Sequence, residues 1–204
     1  MFAKEGYSFI IAAAVILIII AILPKKFLVF IFFLILALML WFFRDPARLT
    51  PGDEDVVVSA ADGKIVEISE SFLNGRKYKK ISVFMNLFSV HVNRAPYGGT
   101  ITDVRHINGG FVNAAKSEAS TRNERNEIYI NTPHGEIVAV QIAGLVARRT
   151  VSYVEKGDSV AKGDRIGMIK FSSRVDHYLP ENATVEVEMG DKVTAGVSVI
   201  ATMP

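Results

Sequence analysis

Two uncharged apolar runs, Tyr7 to Leu23 and Phe27 to Phe43, are separated only by Pro24-Lys25-Lys26. Each is about 17 residues, roughly 25 Å of helix at 1.5 Å per residue, the short end of what crosses a hydrocarbon core of about 30 Å. Nothing else in the chain could cover two helices apolar on every side. The pattern therefore predicts a two-helix transmembrane hairpin over residues 1–46, with helices at about 7–23 and 27–43. A buried helical hairpin and a cleaved signal peptide are the bland alternatives, and the second apolar run without a small-residue cleavage site argues against the latter. Trp41 close to Arg44 reads as an interfacial belt residue followed by a headgroup-level charge. The basic residues around the runs (Lys25 and Lys26 against Lys4, Arg44 and Arg48) lean to a cytoplasmic position for the rest of the chain, at the cell membrane.

From Asp55 onward short β-branched runs alternate with Gly, Asn, Asp and Pro, at spacings of roughly 8–12 residues, the pattern of a small sandwich or barrel. Residues 47–204 are thus expected to form a mainly β, barrel-sandwich-like domain. Asp62-Gly63 and His134-Gly135 are placed as hairpin turns. A weak repeat links Val154-Glu155-Lys156-Gly157-Asp158-Ser159-Val160 with Gly163 to Val187-Glu188-Met189-Gly190-Asp191-Lys192-Val193 with Gly196. The shared spacing suits two related hairpins, as in lipoyl- and biotinyl-type carriers. Lys162 and Thr194-Ala195 lack the Met-Lys-Met context of a modified lysine, which argues against a carrier.

Charge is nearly balanced, 23 Lys and Arg against 21 Asp and Glu, so no basic face calls for nucleic acid. The absence of cysteine removes disulfides and thiol nucleophiles. His91, His106, His134 and His177 are scattered without i, i+4 pairing, and no metal site is expected. Between the two repeats, Ser172-Ser173 follow an apolar strand and precede Arg174. On its own such a pair reads as a solvated turn.

Its company changes the reading. Phe42-Phe43-Arg44-Asp45-Pro46-x-Arg48, Ser59-Ala60-Ala61-Asp62-Gly63-Lys64, Val90-His91-Val92-Asn93-Arg94-Ala95-Pro96, Asn123-Glu124-Arg125-Asn126, Gln141-Ile142-Ala143-Gly144-x-x-Ala147-Arg148-Arg149, Gly157-Asp158 and Phe171 to Asp176 occur in order. Together they resemble the short bacterial and archaeal class of phosphatidylserine decarboxylases along nearly the whole chain. The resemblance implies a proenzyme that cleaves itself between Ser172 and Ser173, turning Ser173 into a covalent pyruvoyl cofactor and one chain into a large and a small subunit. The pyruvoyl ketone would form a Schiff base with a serine-headgroup phospholipid, phosphatidylserine or an archaeal ether-linked analogue, and CO2 would leave. His91 becomes the candidate proton donor, and Asp62 part of the self-processing machinery. Arg148 and Arg149, with guanidinium forks suited to phosphate, join Asn93 and Arg94 as candidate substrate contacts.

Two positions depart from the family pattern. Ser172 stands where the family has Gly, which reaches backbone regions closed to serine. Arg94 stands where longer members have a second histidine, and a guanidinium cannot act as a base at neutral pH. The alternatives are a non-enzymatic membrane-anchored barrel-sandwich adaptor, and a precursor that Ser172 leaves unprocessed. Sustained heptads of export adaptors are not found. Pyruvoyl enzymes often pair subunits, so a homodimer enters as an expectation, although no small-residue motif in the apolar runs argues for it.

Overall fold

The computed structural model describes residues 1–144, 150–170 and 173–204. It divides into two compact units, Met1–Ala47 and Arg48–Pro204.

In the first unit α1 (Tyr7–Ala21) and α2 (Lys26–Phe42) are joined by a turn through Pro24. The first helix stops two residues short of the apolar run because the residue before a proline avoids helical backbone. Lys4–Ala21 is long and apolar enough to cross a bilayer, whereas α2, at 17 residues, is shorter than that measure. Most of the large apolar side chains of both helices face outward. The open end of the hairpin is tied by Ala3 N–H to the Phe43 carbonyl at 2.8 Å and Asp45 N–H to the Met1 carbonyl at 2.8 Å. Gly6 permits this closure, since a Cβ there would lie 2.4 Å from the Phe43 ring.

The second unit is mainly β. Its strands run from β1 (Val56–Val58), β2 (Gly63–Leu73), β3 (Arg76–Met85) and β4 (Val92–Arg94) to β5 (Gly99–Ile107). After the short α3 (Ala119–Arg122) come β6 (Arg125–Thr132), β7 (Gly135–Ala143), β8 (Thr150–Ser152), β9 (Ser159–Val160) and β10 (Arg165–Ile169). The chain closes with β11 (Ser173–Leu179), β12 (Thr184–Val185), β13 (Lys192–Val193) and β14 (Val199–Thr202). Among the described residues, eight strands form a sheet in the order β13-β2-β3-β11-β7-β6-β5-β9, curled into a half barrel. Two three-stranded sheets, β1-β14-β12 and β4-β10-β8, complete the unit.

The repeat seen in the sequence organises the large sheet, but as turns between strands that do not pair (β8 and β9, β12 and β13) rather than as the two hairpins expected. Gly157, Gly163, Gly190 and Gly196 all have positive φ, the conformation glycine adopts at least cost. Asp158 and Asp191 each accept from the backbone N–H three residues earlier at 2.8 Å, and Gly157 and Gly190 donate to Ile101 and Ile65 on β5 and β2. Both of those strands carry a bulge just after the same isoleucine. The sheet order therefore reads alike from either edge, and its middle is the β11–β7 pair. Turn placement also differs from expectation. Asp62 lies in the link between β1 and β2, which do not pair, and Gly63 opens β2; the β2–β3 hairpin instead turns at Asn74-Gly75, both with positive φ. The β6–β7 turn is made by Pro133-His134 and closed by Gly135 opposite Thr132.

β11 pairs with β3 and β7 along its length and is buried at all seven residues. By strand alternation Ser173, Val175, His177 and Leu179 face one side. Val175 and Leu179 there pack with Ile65, Ile81, Val83, Met85 and Ile169. The opposite face carries Arg174, Asp176 and Tyr178, the last packed with Tyr78, Val140 and Ile142.

Gly63 and Gly99 occupy matching places in the two halves, and a Cβ at either would lie 2.1 Å from the Phe84 carbonyl oxygen or 2.3 Å from that of Asn131. Gly63→Ala and Gly99→Ala are each expected to destabilise the chain by about 1–3 kcal/mol in urea titrations. Gly52→Ala, where open space surrounds the site, should leave the midpoint unchanged.

Candidate active site

Ser173 opens the central strand, opposite Met85 on one side and Ala143 on the other, with no exposed surface. Its Oγ lies 3.4 Å from the Met85 sulfur. A thioether is a weak acceptor and cannot take a proton, so it holds the hydroxyl without activating it. The same sulfur receives Asn93 Nδ2 at 3.8 Å. Ser173 and Asn93, remote in sequence, thus meet across Met85.

His91 stands two residues before Asn93 and is fully buried. Its Nδ1 lies 2.9 Å from the Ser89 carbonyl. Because that oxygen can only accept, Nδ1 carries a proton. The His91 carbonyl accepts from Ile169 N–H at 3.2 Å, which fixes this segment beside the end of β10, the strand leading to Ser173. Ser172, Arg148 and Arg149 lie outside the described residues.

Asp62 and Arg94 gather elsewhere, around the turn at 194–196. Asp62 accepts from Ala195 N–H at 2.7 Å through Oδ1 and from Arg48 Nη2 at 2.8 Å through Oδ2. Arg94 donates to the Gly163 carbonyl at 2.9 Å and lies against Gly196, where a Cβ would meet Arg94 Cδ at 2.7 Å. Both carboxylate oxygens are engaged in holding chain segments together. His177 joins this region to the central strand: Ala60 N–H donates to its Nε2 at 2.7 Å and Nδ1 faces the Ile81 carbonyl at 3.0 Å.

Behind Ser173, on the other face of β11, lies a buried ionic cluster. Arg174 has no exposed surface; its Nε donates to Asp176 Oδ1 at 2.5 Å, and its Nη2 to Glu67 Oε2 at 2.5 Å and Ser82 Oγ at 2.6 Å. Nη1 reaches the Lys116 carbonyl at 3.4 Å, and Ser120 donates to Asp176 at 2.6 Å. Lys80 completes the set at 2.6 Å from Glu67. Burial pushes the Glu67 carboxyl up, but hydrogen bonds and charge from Lys80 and Arg174 outweigh it and bring the group down to about 2.

Sequence reasoning passed over His177, Gln141 and the Arg174 cluster. Gln141 is fully buried and donates to Asn93 at 2.8 Å. A lone histidine or glutamine in a strand gives no periodic signal, and Arg174 meets Glu67 across 107 residues of chain.

The shifted groups define an acid response. Burial depresses His177 from 6.5 to about 4, so between those values the unfolded chain binds a proton that the fold excludes. Its contribution is complete above pH 6.5 and lost as pH falls toward 4, up to about 3 kcal/mol. Glu67 adds stability above pH 4.5 that disappears toward 2. Melting temperature should therefore drop between pH 7 and 5, and the drop should flatten in His177→Gln.

Ser173, Met85, Asn93 and Gln141 thus form one buried group. Residues 35–201 match the family model described as phosphatidylserine decarboxylase. The chain is 46% identical over 166 residues to the phosphatidylserine decarboxylase proenzyme of Syntrophus aciditrophicus (strain SB), covering 79% of this chain and 78% of that protein. The chain belongs to the phosphatidylserine decarboxylase family and is a decarboxylase, a lyase.

Proposed function

We propose that this chain is a proenzyme that cleaves itself between Ser172 and Ser173, and that the product removes the carboxylate of a serine-headgroup phospholipid, phosphatidylserine in the first instance. The observation that carries the reading is the buried hydroxyl of Ser173 at the start of a strand held on both sides. A surface serine would lose the ester formed in self-cleavage to water, whereas this one is shielded.

Ser173 Oγ attacks the preceding carbonyl, the amide becomes an ester, and elimination followed by hydrolysis leaves a pyruvoyl group with release of ammonia. The residues present fit such a group. Met85 offers apolar contact to a methyl, and Asn93 Nδ2 offers a donor for a carbonyl oxygen. Once formed, the ketone supplies an electron sink for departure of the substrate carboxylate as CO2. His91 supplies the proton to the substrate Cα: Ser89 keeps the proton on Nδ1, so Nε2 is the atom that gains and returns one. Asp62, joined to Arg48 and Ala195, shapes the segment that His177 ties to β11. Arg148 and Arg149 take the lipid phosphate. The apolar helices anchor the chain in the membrane as a hairpin, with the β unit on the cytoplasmic face, which keeps the enzyme at a substrate that does not leave the bilayer.

Intact mass spectrometry checks the reading. The mature protein should contain a 173–204 fragment whose N-terminus is a ketone, trapped by amine and borohydride. Ser173→Ala should remain one chain, and cleavage in that variant would remove Ser173 from its role. Ser172→Gly, which restores the family residue, should cleave faster than the natural chain. His91→Ala that has cleaved should lose turnover by about 10²–10⁴-fold; unchanged turnover would eliminate His91 as the proton donor.

A further inference from the structure

A line of polar side chains runs across β5, β6 and β7 to Asn93 of β4 and ends on the Met85 sulfur that Ser173 also meets. His106 of β5 is directly opposite Asn126 of β6, and Asn126 is opposite Gln141 of β7. His106 Nδ1 lies 2.8 Å from Asn126 Oδ1, Asn126 Nδ2 donates to Gln141 Oε1 at 3.3 Å, and Gln141 Nε2 donates to Asn93 Oδ1 at 2.8 Å. Asn93 then turns its Nδ2 to the Met85 sulfur, which Ser173 Oγ also meets. Every link donates toward the serine, since Asn126 Oδ1 can only accept and His106 Nδ1 therefore carries the proton. An amide held at both ends cannot reverse alone. Turning Gln141 over would set donor against donor at Asn126 and acceptor against acceptor at Asn93, so Asn93 is fixed with its N–H side toward Ser173.

Two further features favour a purpose beyond filling the core. Gly167 of β10 leaves room for the glutamine, for a Cβ there would lie 2.5 Å from Gln141 Nε2. The line also ends on sulfur. Buried donors ordinarily find oxygen, and an N–H resting on a thioether at 3.8 Å gives up little when an oxygen arrives.

We propose that Gln141 is a positioning residue that holds Asn93 as hydrogen-bond donor to the oxygen that becomes negative when Ser173 attacks the preceding carbonyl. The inference rests on the self-cleavage reading above. In that step the Oγ–carbon bond forms, the carbonyl π pair moves to oxygen, and the hydroxyl proton passes through a base to the departing nitrogen. The carbonyl then reforms as the carbon–nitrogen bond breaks, leaving an ester and a free amine. A donor placed at the transient oxyanion lowers the barrier of this step.

The test is the rate of self-cleavage of the full chain, followed on gels beside its melting temperature. Asn93→Ala should slow cleavage by about 10²-fold, the loss typical of one oxyanion donor, and Gln141→Met by roughly tenfold. The double variant should cleave no more slowly than Asn93→Ala alone, because Gln141 works through Asn93, while the losses in melting temperature accumulate. Gln141→Glu, which keeps the shape, should be slow relative to the natural chain at alkaline pH and recover on acidification, when its carboxyl regains a proton to donate. Cleavage of Gln141→Met at the natural rate, or losses that multiply in the double variant, would overturn the inference and leave self-cleavage standing. A natural chain that stays whole and carries no ketone would overturn both.

Discussion

Burial of Arg174 constrains the rest of the site. A guanidinium without exposed surface is tolerated only when its charge is matched and its donors are met, and Asp176, Glu67, Ser82 and the Lys116 carbonyl meet them from its own strand, from β2, from β3 and from the loop before α3. Removing one partner would strand a charge in the interior, so these elements hold their places together. Ser173 is the next residue and points the other way. Its position is thus set from behind by ionic contacts and from the front by apolar packing on Met85.

That division separates two tasks. On the front face, His177 stays neutral and serves as a strut, with both ring nitrogens occupied. Its depressed basicity and double engagement make it a poor proton carrier, whereas His91 meets the Ser89 carbonyl through Nδ1. Arg94 likewise joins strand to turn through the Gly163 carbonyl.

Much of this was legible in the sequence where a signal is periodic or repeated. The apolar runs, the β-rich body and the doubled Gly-Asp turns each impose a spacing, and the turn glycines reappear with the positive φ that the spacing implied. The Asn74-Gly75 hairpin could have been found, since Asn-Gly between β-branched runs is a strong turn signal. Ser173 stood out only through neighbouring motifs. The Gln141 line and the Arg174 cluster were not legible, because they depend on register between strands far apart in the chain. Asp62 shows the converse: its motif was visible, but the Arg48 and Ala195 partners that each hold one of its oxygens were not foreseen.

The doubled sheet has one more consequence. Ser173 faces Met85 at the end of β3 as Gly135 faces Thr132 at the end of β6, so Ser173 occupies the place that a reverse turn fills in the other half. On the proposed self-cleavage, a nick there would fall between strands and sever no ladder. The 173–204 piece supplies the middle strand and one border of the large sheet, as well as two members of the β1-β14-β12 sheet. Woven through both layers, the short polypeptide would stay locked to the long one without any covalent link, and releasing it would require melting the domain.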